Sequence, residues 1–150
     1  MGRIAVGGDH RGFALKELIM PFLQDWGHSC QDFGCHDTIP VDYPDIAKKV
    51  GEAVASGSFD RGILICSTGI GMSIAANKIK GVRAALCHDA FAAQRARQHN
   101  DANVLCLRGE DIEANSALET IQTFLATAFE GDRHIQRVNK IKALERDWPE

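Results

Sequence analysis

Apolar and polar positions follow two periods along this chain, and the two alternate. Short, mainly apolar runs occupy 3–6, 63–66, 82–87 and 104–107, with a weaker run at 29–33. Each is too short for a helix and is bounded by glycine or polar residues, as strands buried on both faces of a parallel sheet are. Between them, apolar residues return every three or four positions, the period of a helix with one buried face. Phe13, Leu15, Leu18, Ile19, Phe22 and Leu23 mark a first helix, with Pro21 as an expected kink. Ile46, Ala47, Val50, Ala53 and Val54 mark a second, from Tyr43 to near Gly57, and Met72, Ile74, Ala75, Ala76 and Ile79 a third. Residues 90–98 form a fourth. The fifth covers 112–129, with Leu118, Ile121, Leu125 and Phe129 on one side, and a Gly-Asp break precedes a last helix over 135–146.

Five strands alternating with helices predict an α/β fold. The expectation is one Rossmann-like three-layer domain over 1–150, a five-stranded parallel sheet with helices on both faces and an extra C-terminal helix. In such sheets ligands bind outside the carboxyl ends of the strands. That rule gathers Asp9, His10, Tyr43, Cys66, Thr68 and His88 on one rim.

The stretch 61–78 carries the most chemistry. A strand ends at Cys66, a turn follows through Ser67, Thr68, Gly69, Ile70 and Gly71, and a helix begins. Strand, glycine-rich turn and helix together aim backbone N–H groups at one point, at the positive end of a helix dipole. A thiol beside such a turn suits a base or nucleophile next to an anion-stabilising site. Near the C-terminus, Arg133 and Arg137 are one helical turn apart, so one face presents two guanidinium groups, a pair suited to a phosphate dianion.

Composition removes several classes. Net charge is −3, which does not fit binding to a nucleic-acid backbone, and no apolar run approaches the length that spans a bilayer. The chain enters a strand-like segment at once, without the pattern of a signal peptide. Five cysteines, at 30, 35, 66, 87 and 106, form no CxxC pair and read as reduced thiols of a cytoplasmic protein. Six histidines are scattered without metal-ligand spacing, so no metal is expected. Gly69-x-Gly71 lacks the third small residue of a dinucleotide fingerprint and is not in the first strand–helix turn, which argues against a nucleotide-binding oxidoreductase.

Five blocks carry a resemblance. They are Gly8-Asp9-His10 with Gly12-Phe13; Asp42-Tyr43-Pro44; Gly62 to Lys78 around Cys66-x-Thr68-Gly69-x-Gly71; Arg97 to Leu105 through His99-Asn100-Asp101; and Gly131-x-Arg133-His134-x-x-Arg137-Val138. In this order, over nearly the whole chain, they resemble the ribose-5-phosphate isomerase B family, which includes galactose-6-phosphate and allose-6-phosphate isomerases. The resemblance implies cofactor-independent aldose–ketose isomerisation of a phosphorylated sugar through an enediolate. It implies Cys66 as the base, with the backbone N–H groups of 67–71 and Thr68 stabilising the developing negative oxygen. His99, helped by Asp9, would open the sugar ring. Asp9, His10, Tyr43 and Asn100 are expected on the sugar, and Arg133, His134 and Arg137 on its phosphate. The C-terminal segment would cross to a second subunit, giving a homodimer, or a tetramer, in which His99, Asn100 and the arginines face the partner's Cys66.

Plainer readings stand beside these. Cys66 suits a strand-end core position, Asp9 an N-cap, Asn100 a C-cap and His10 a structural histidine. Tyr43 could simply pack before Pro44, His99 could be a surface histidine, and the arginines a solvated face. Two positions depart from the family. Ser67 stands where many members have glycine, and Glu110 where many have an arginine that contacts phosphate, with Arg108 two residues earlier. Ribose 5-phosphate is the first expectation; a four-carbon or hexose phosphate, or a non-catalytic sugar-phosphate-binding module, is the alternative.

Overall fold

The computed structural model describes residues 2–146 and 148. Its strands β1 (Arg3–Gly8), β2 (Ser29–Asp32), β3 (Arg61–Cys66), β4 (Ala84–Leu86) and β5 (Val104–Arg108) make one parallel sheet in the order β2-β1-β3-β5-β4. The helices are α1 (Phe13–Asp25), α2 (Tyr43–Ala55), α3 (Ile70–Ala76), α4 (Ala90–Asn100), α5 (Ala114–Ala126) and α6 (Arg133–Ala143). Alternation along β3 shows the layering. Ile63 and Ile65 join a core with Leu15, Ile19 and Leu23 of α1, Ala93 and Ala96 of α4, and Ile121 and Phe124 of α5. Leu64 and Cys66 join the opposite core with Val50 and Val54 of α2 and Met72 and Ala76 of α3. Continuous apolar strands are what a sheet covered on both faces requires.

The differences from expectation lie mainly at element ends. The run 82–87 shrinks to three paired residues, and side-chain amides satisfy backbone groups at its start. Asn77 Oδ1 accepts from the Ala84 N–H at 2.8 Å, Asn77 Nδ2 donates to the Ala84 carbonyl at 3.0 Å, and Asn103 Oδ1 accepts from the Arg83 N–H at 2.8 Å. These amides cap an edge strand that would otherwise present bare hydrogen-bonding groups. In α3, Met72 and Ala76 turn inward while Ile74 is 60% exposed, so the inner face is narrower than the run of apolar residues suggested. Helix α1 runs through Pro21, whose missing N–H falls on the exposed side. Helix α5 stops at Ala126 and leaves Phe129 in the following loop; the Thr127 carbonyl instead accepts from Arg97 Nε at 3.1 Å. The last helix ends at Ala143, short of the expected 146.

Candidate active site

Strand direction decides which residues can meet. β3 ends at Cys66, and the turn after it belongs to the carboxyl rim of the sheet. Helix α4 returns antiparallel to the strands, so His99 and Asn100 arrive at the amino edge. There the Asn103 carbonyl accepts from the Gly62 N–H at 2.9 Å, and the Asn103 N–H donates to the Arg83 carbonyl at 3.0 Å. The intervening length of β3 is about 16 Å. Within one chain, therefore, Asp9, His10, Tyr43, Cys66 and the turn 67–71 form one group, and His99, Asn100, Arg133, His134 and Arg137 form another.

At the carboxyl rim, Cys66 is buried and its Sγ accepts from the Gly69 N–H at 3.2 Å. The Ile70 N–H donates to Thr68 Oγ1 at 3.2 Å, which leaves the Thr68 hydroxyl proton available to donate elsewhere. Two of the five N–H groups expected in the anion hole are thus turned to local partners; those of Ser67, Thr68 and Gly71 have none among the described residues. Gly69 has φ +79°, and a Cβ on it would lie 2.7 Å from Leu86 Cδ1 and 2.9 Å from the Leu107 carbonyl carbon. Gly71 admits the Tyr43 ring, which a Cβ there would meet at 2.6 Å. Tyr43, at the start of α2, therefore lies flush against the turn.

The plainer readings hold only in part: His10 has a structural partner, but Asp9 is not the N-cap of α1, which is Gly12 without a side-chain cap. Asp9 Oδ1 accepts from the N–H groups of Arg11 and Gly12, both at 3.0 Å, fixing the loop that leads into α1. His10 Nδ1 accepts from the Val41 N–H at 3.3 Å and pins the polar loop before α2. His88 is exposed beyond β4. Arg108 pairs in register with Cys66 at the end of β5, so the pleat sets both on the same sheet face. Glu110 meets two partners: Arg11 Nη1 donates to its Oε1 at 2.7 Å, and Ser67 Oγ to its Oε2 at 2.8 Å. Arg11, and then Ser67, hold the Glu110 carboxyl below the usual carboxylate range. Burial pushes the Cys87 thiol up to about 11, and that of Cys106 further still.

At the amino edge, the buried Arg97 donates through Nη1 to Asp101 Oδ1 at 2.9 Å and to the Ala102 carbonyl at 2.6 Å. Asp101, not Asn100, is the C-cap of α4, with φ 49°. Asn100 is exposed at the helix end. His99 stacks on His134 with ring centroids 4.3 Å apart and planes 13° apart. His134 is 3% exposed, so it lies beneath His99 rather than on the surface beside Arg133 and Arg137. Its Nε2 is 3.4 Å from Glu130 Oε2 without hydrogen-bond geometry. The ligand atoms of His99, Glu130 and His134 lie within 4.8 Å of one another, a cluster that the scattered histidines did not suggest. Near-parallel rings do not aim their nitrogen lone pairs at a single ion, and Arg133 and Arg137 add positive charge.

Burial, reinforced by Arg133 and His99, lowers the His134 pKa. The unfolded chain then takes up this proton more readily, so the contribution of His134 to stability is full above about pH 6.5 and declines below it. The melting midpoint is expected to fall between pH 7.5 and 5.5, and His134→Phe, which keeps a stacked ring, should flatten that fall. An unchanged pH slope in the variant would contradict this.

A profile of the ribose/galactose isomerase family matches residues 4–141. The chain belongs to this family. It is 44% identical to ribose-5-phosphate isomerase B of Escherichia coli, over 97% of this chain and 98% of that protein. A ribose-5-P isomerase B of Listeria innocua is 40% identical, over 96% and 97%. Among solved structures, ribose-5-phosphate isomerase B of Clostridium thermocellum superposes with a TM-score of 0.96 at 47% identity, covering 98% of this chain and 99% of that one. The Mycoplasma genitalium enzyme, solved with bound ribulose-5-phosphate, gives 0.93 at 40% identity, with 97% coverage of each. The protein is an isomerase of this family, and its fold is the expected one.

Two features escaped the motif reading. Arg11 sits in the gap between the matched residues 8–10 and 12–13, and its partner Glu110 is 99 residues away. Glu130 lies just before the last matched block. Its only sequence signal is the four-residue spacing to His134.

Proposed function

We propose that this enzyme interconverts ribose 5-phosphate and ribulose 5-phosphate, without a cofactor, at a site shared between two copies of the chain. The observation that carries the chemistry is the position of Cys66: its sulfur is held by the Gly69 N–H at the mouth of the turn. As a thiolate, Cys66 takes the proton from C2 of the open-chain aldose. The C2 electron pair forms the C1–C2 double bond and the carbonyl oxygen becomes negative, stabilised by the free N–H groups of the turn and by Thr68. The protonated sulfur returns its proton to C1 while the O2 proton passes to O1, so atoms and charge balance. His99 opens the sugar ring and Asn100 binds its hydroxyls. Arg133 and Arg137 hold the phosphate, and His134 braces His99 from below.

The separation of the two groups along β3 supports the shared site, since one chain cannot bring His99 to its own Cys66. A second copy has a surface to meet. Ile70 and Ile74 of α3, Phe91 of α4, and Ile135, Ile141 and Leu144 in and after α6 are exposed. A groove of about 410 Å³ also runs from Asn77 and Ala84 past Asn100 to Ile141 and Leu144. We place this homodimer in the cytoplasm, where five free cysteines persist. The test is an assay with ribose 5-phosphate, allose 6-phosphate, galactose 6-phosphate and erythrulose 4-phosphate, without added metal or nucleotide. Preferred turnover of ribose 5-phosphate supports the proposal, preference for another sugar moves the specificity, and inactivity on all four overturns it.

A further inference from the structure

Three loops meet beside Cys66. The loop after β1 supplies Arg11, the one after β3 Ser67, and the one after β5 Glu110. The backbones are in contact as well. The Gly109 N–H donates to the Cys66 carbonyl at 2.7 Å, and a Cβ on Gly109 would lie 2.8 Å from the Arg11 carbonyl oxygen. Glu110 is braced from two sides, by the Ser67 hydroxyl on one oxygen and by Arg11 on the other. Among the described residues, this is the only hydrogen bond that the Arg11 guanidinium makes, so most of its N–H donors stay available.

An exposed ion pair of this kind contributes little to stability. Its location is more informative. All three members stand on loops at the carboxyl ends of strands, where ligands bind in such sheets, next to His10 and Cys66. Arg133 and Arg137 lie at the other edge of the same chain. We propose that Arg11 is an arginine this chain offers, on its own rim, to the phosphate of the substrate, and that Glu110 and Ser67 are positioning residues that hold it there. The proposal rests on the sugar-phosphate reading above. A guanidinium already tethered by one N–H keeps its fork for phosphate oxygens and has less side-chain freedom left to lose on binding. The acid at 110 then does not strip the rim of positive charge; it anchors a cation that comes from the neighbouring loop.

A double-mutant cycle tests this, with KM and kcat for ribose 5-phosphate and competitive inhibition by inorganic phosphate as readouts. Arg11→Ala is expected to raise KM and weaken phosphate inhibition together, by about tenfold to a hundredfold, while kcat changes far less. In a Glu110→Ala background, where the arm is no longer held, the same Arg11→Ala change should cost about threefold or less. An unchanged KM and unchanged phosphate inhibition in Arg11→Ala would overturn the role of Arg11. An equal penalty in both backgrounds would overturn the positioning role of Glu110. If the wild-type enzyme turns over no sugar phosphate, the isomerase reading fails separately. Calorimetric binding of inorganic phosphate then decides the present inference: loss in Arg11→Ala supports it, and equal binding removes it.

Discussion

Replacing Cys66 by alanine is expected to lower kcat for ribose 5-phosphate by about a thousandfold, the range a positioned general base contributes. KM should stay within a few-fold, because the proposed phosphate and hydroxyl contacts lie on other residues. The fold should survive. Cys66 is a small, buried strand-end side chain, and losing its sulfur costs about 1 kcal/mol. Cys106→Ala is the matched control. That thiol is fully buried in the same core, with its pKa driven up by burial, and its loss should leave turnover unchanged. Wild-type-like turnover by Cys66→Ala would remove this residue as the base.

Gly69→Ala should be comparably damaging, through the backbone. A Cβ at φ +79° costs about 1–2 kcal/mol in conformation alone, and this one would press on Leu86 and on the Leu107 main chain. The turn can relieve the clash only by moving away from β5. That movement carries the Gly69 N–H off the Cys66 sulfur and spreads the free N–H groups on either side of it. We expect a melting midpoint several degrees lower and a fall in kcat of about a hundredfold, the scale of losing one oxyanion-hole donor. A variant that is destabilised yet fully active would show that the geometry of the turn does not matter to the chemistry.

What was legible in the sequence follows from how local each signal is. β3 and β5 are continuous apolar strands because both of their faces are covered, and they stood out at once. The turn 67–71 was legible for the same reason, since its glycines adjoin the strand they serve. The amides of Asn77 and Asn103 that hold the start of β4 were not, because they reach its backbone from outside the apolar run. The C-cap of α4 was not legible either, since Asn100 and Asp101 are both fit for the left-handed position and only the backbone distinguishes them. The stack of His99 on His134 joins helices far apart in the chain, and the Arg11–Glu110 pair joins two loops. No periodicity records such meetings. Topology separates the two groups: once α4 is known to return to the amino edge, His99 lies at the opposite end of the sheet from Cys66 of the same chain, and the proposed division of the site follows from that.

That division is most directly tested by complementation. Cys66→Ala and His99→Asn chains, each inactive alone, are coexpressed with different tags, and the mixed dimers are isolated. A site built across a two-fold interface gives each mixed dimer one intact site and one doubly defective site, so about half of the wild-type activity per dimer is predicted. Mixed dimers no more active than the two parent variants would contradict the shared site and return His99 and Cys66 to separate roles.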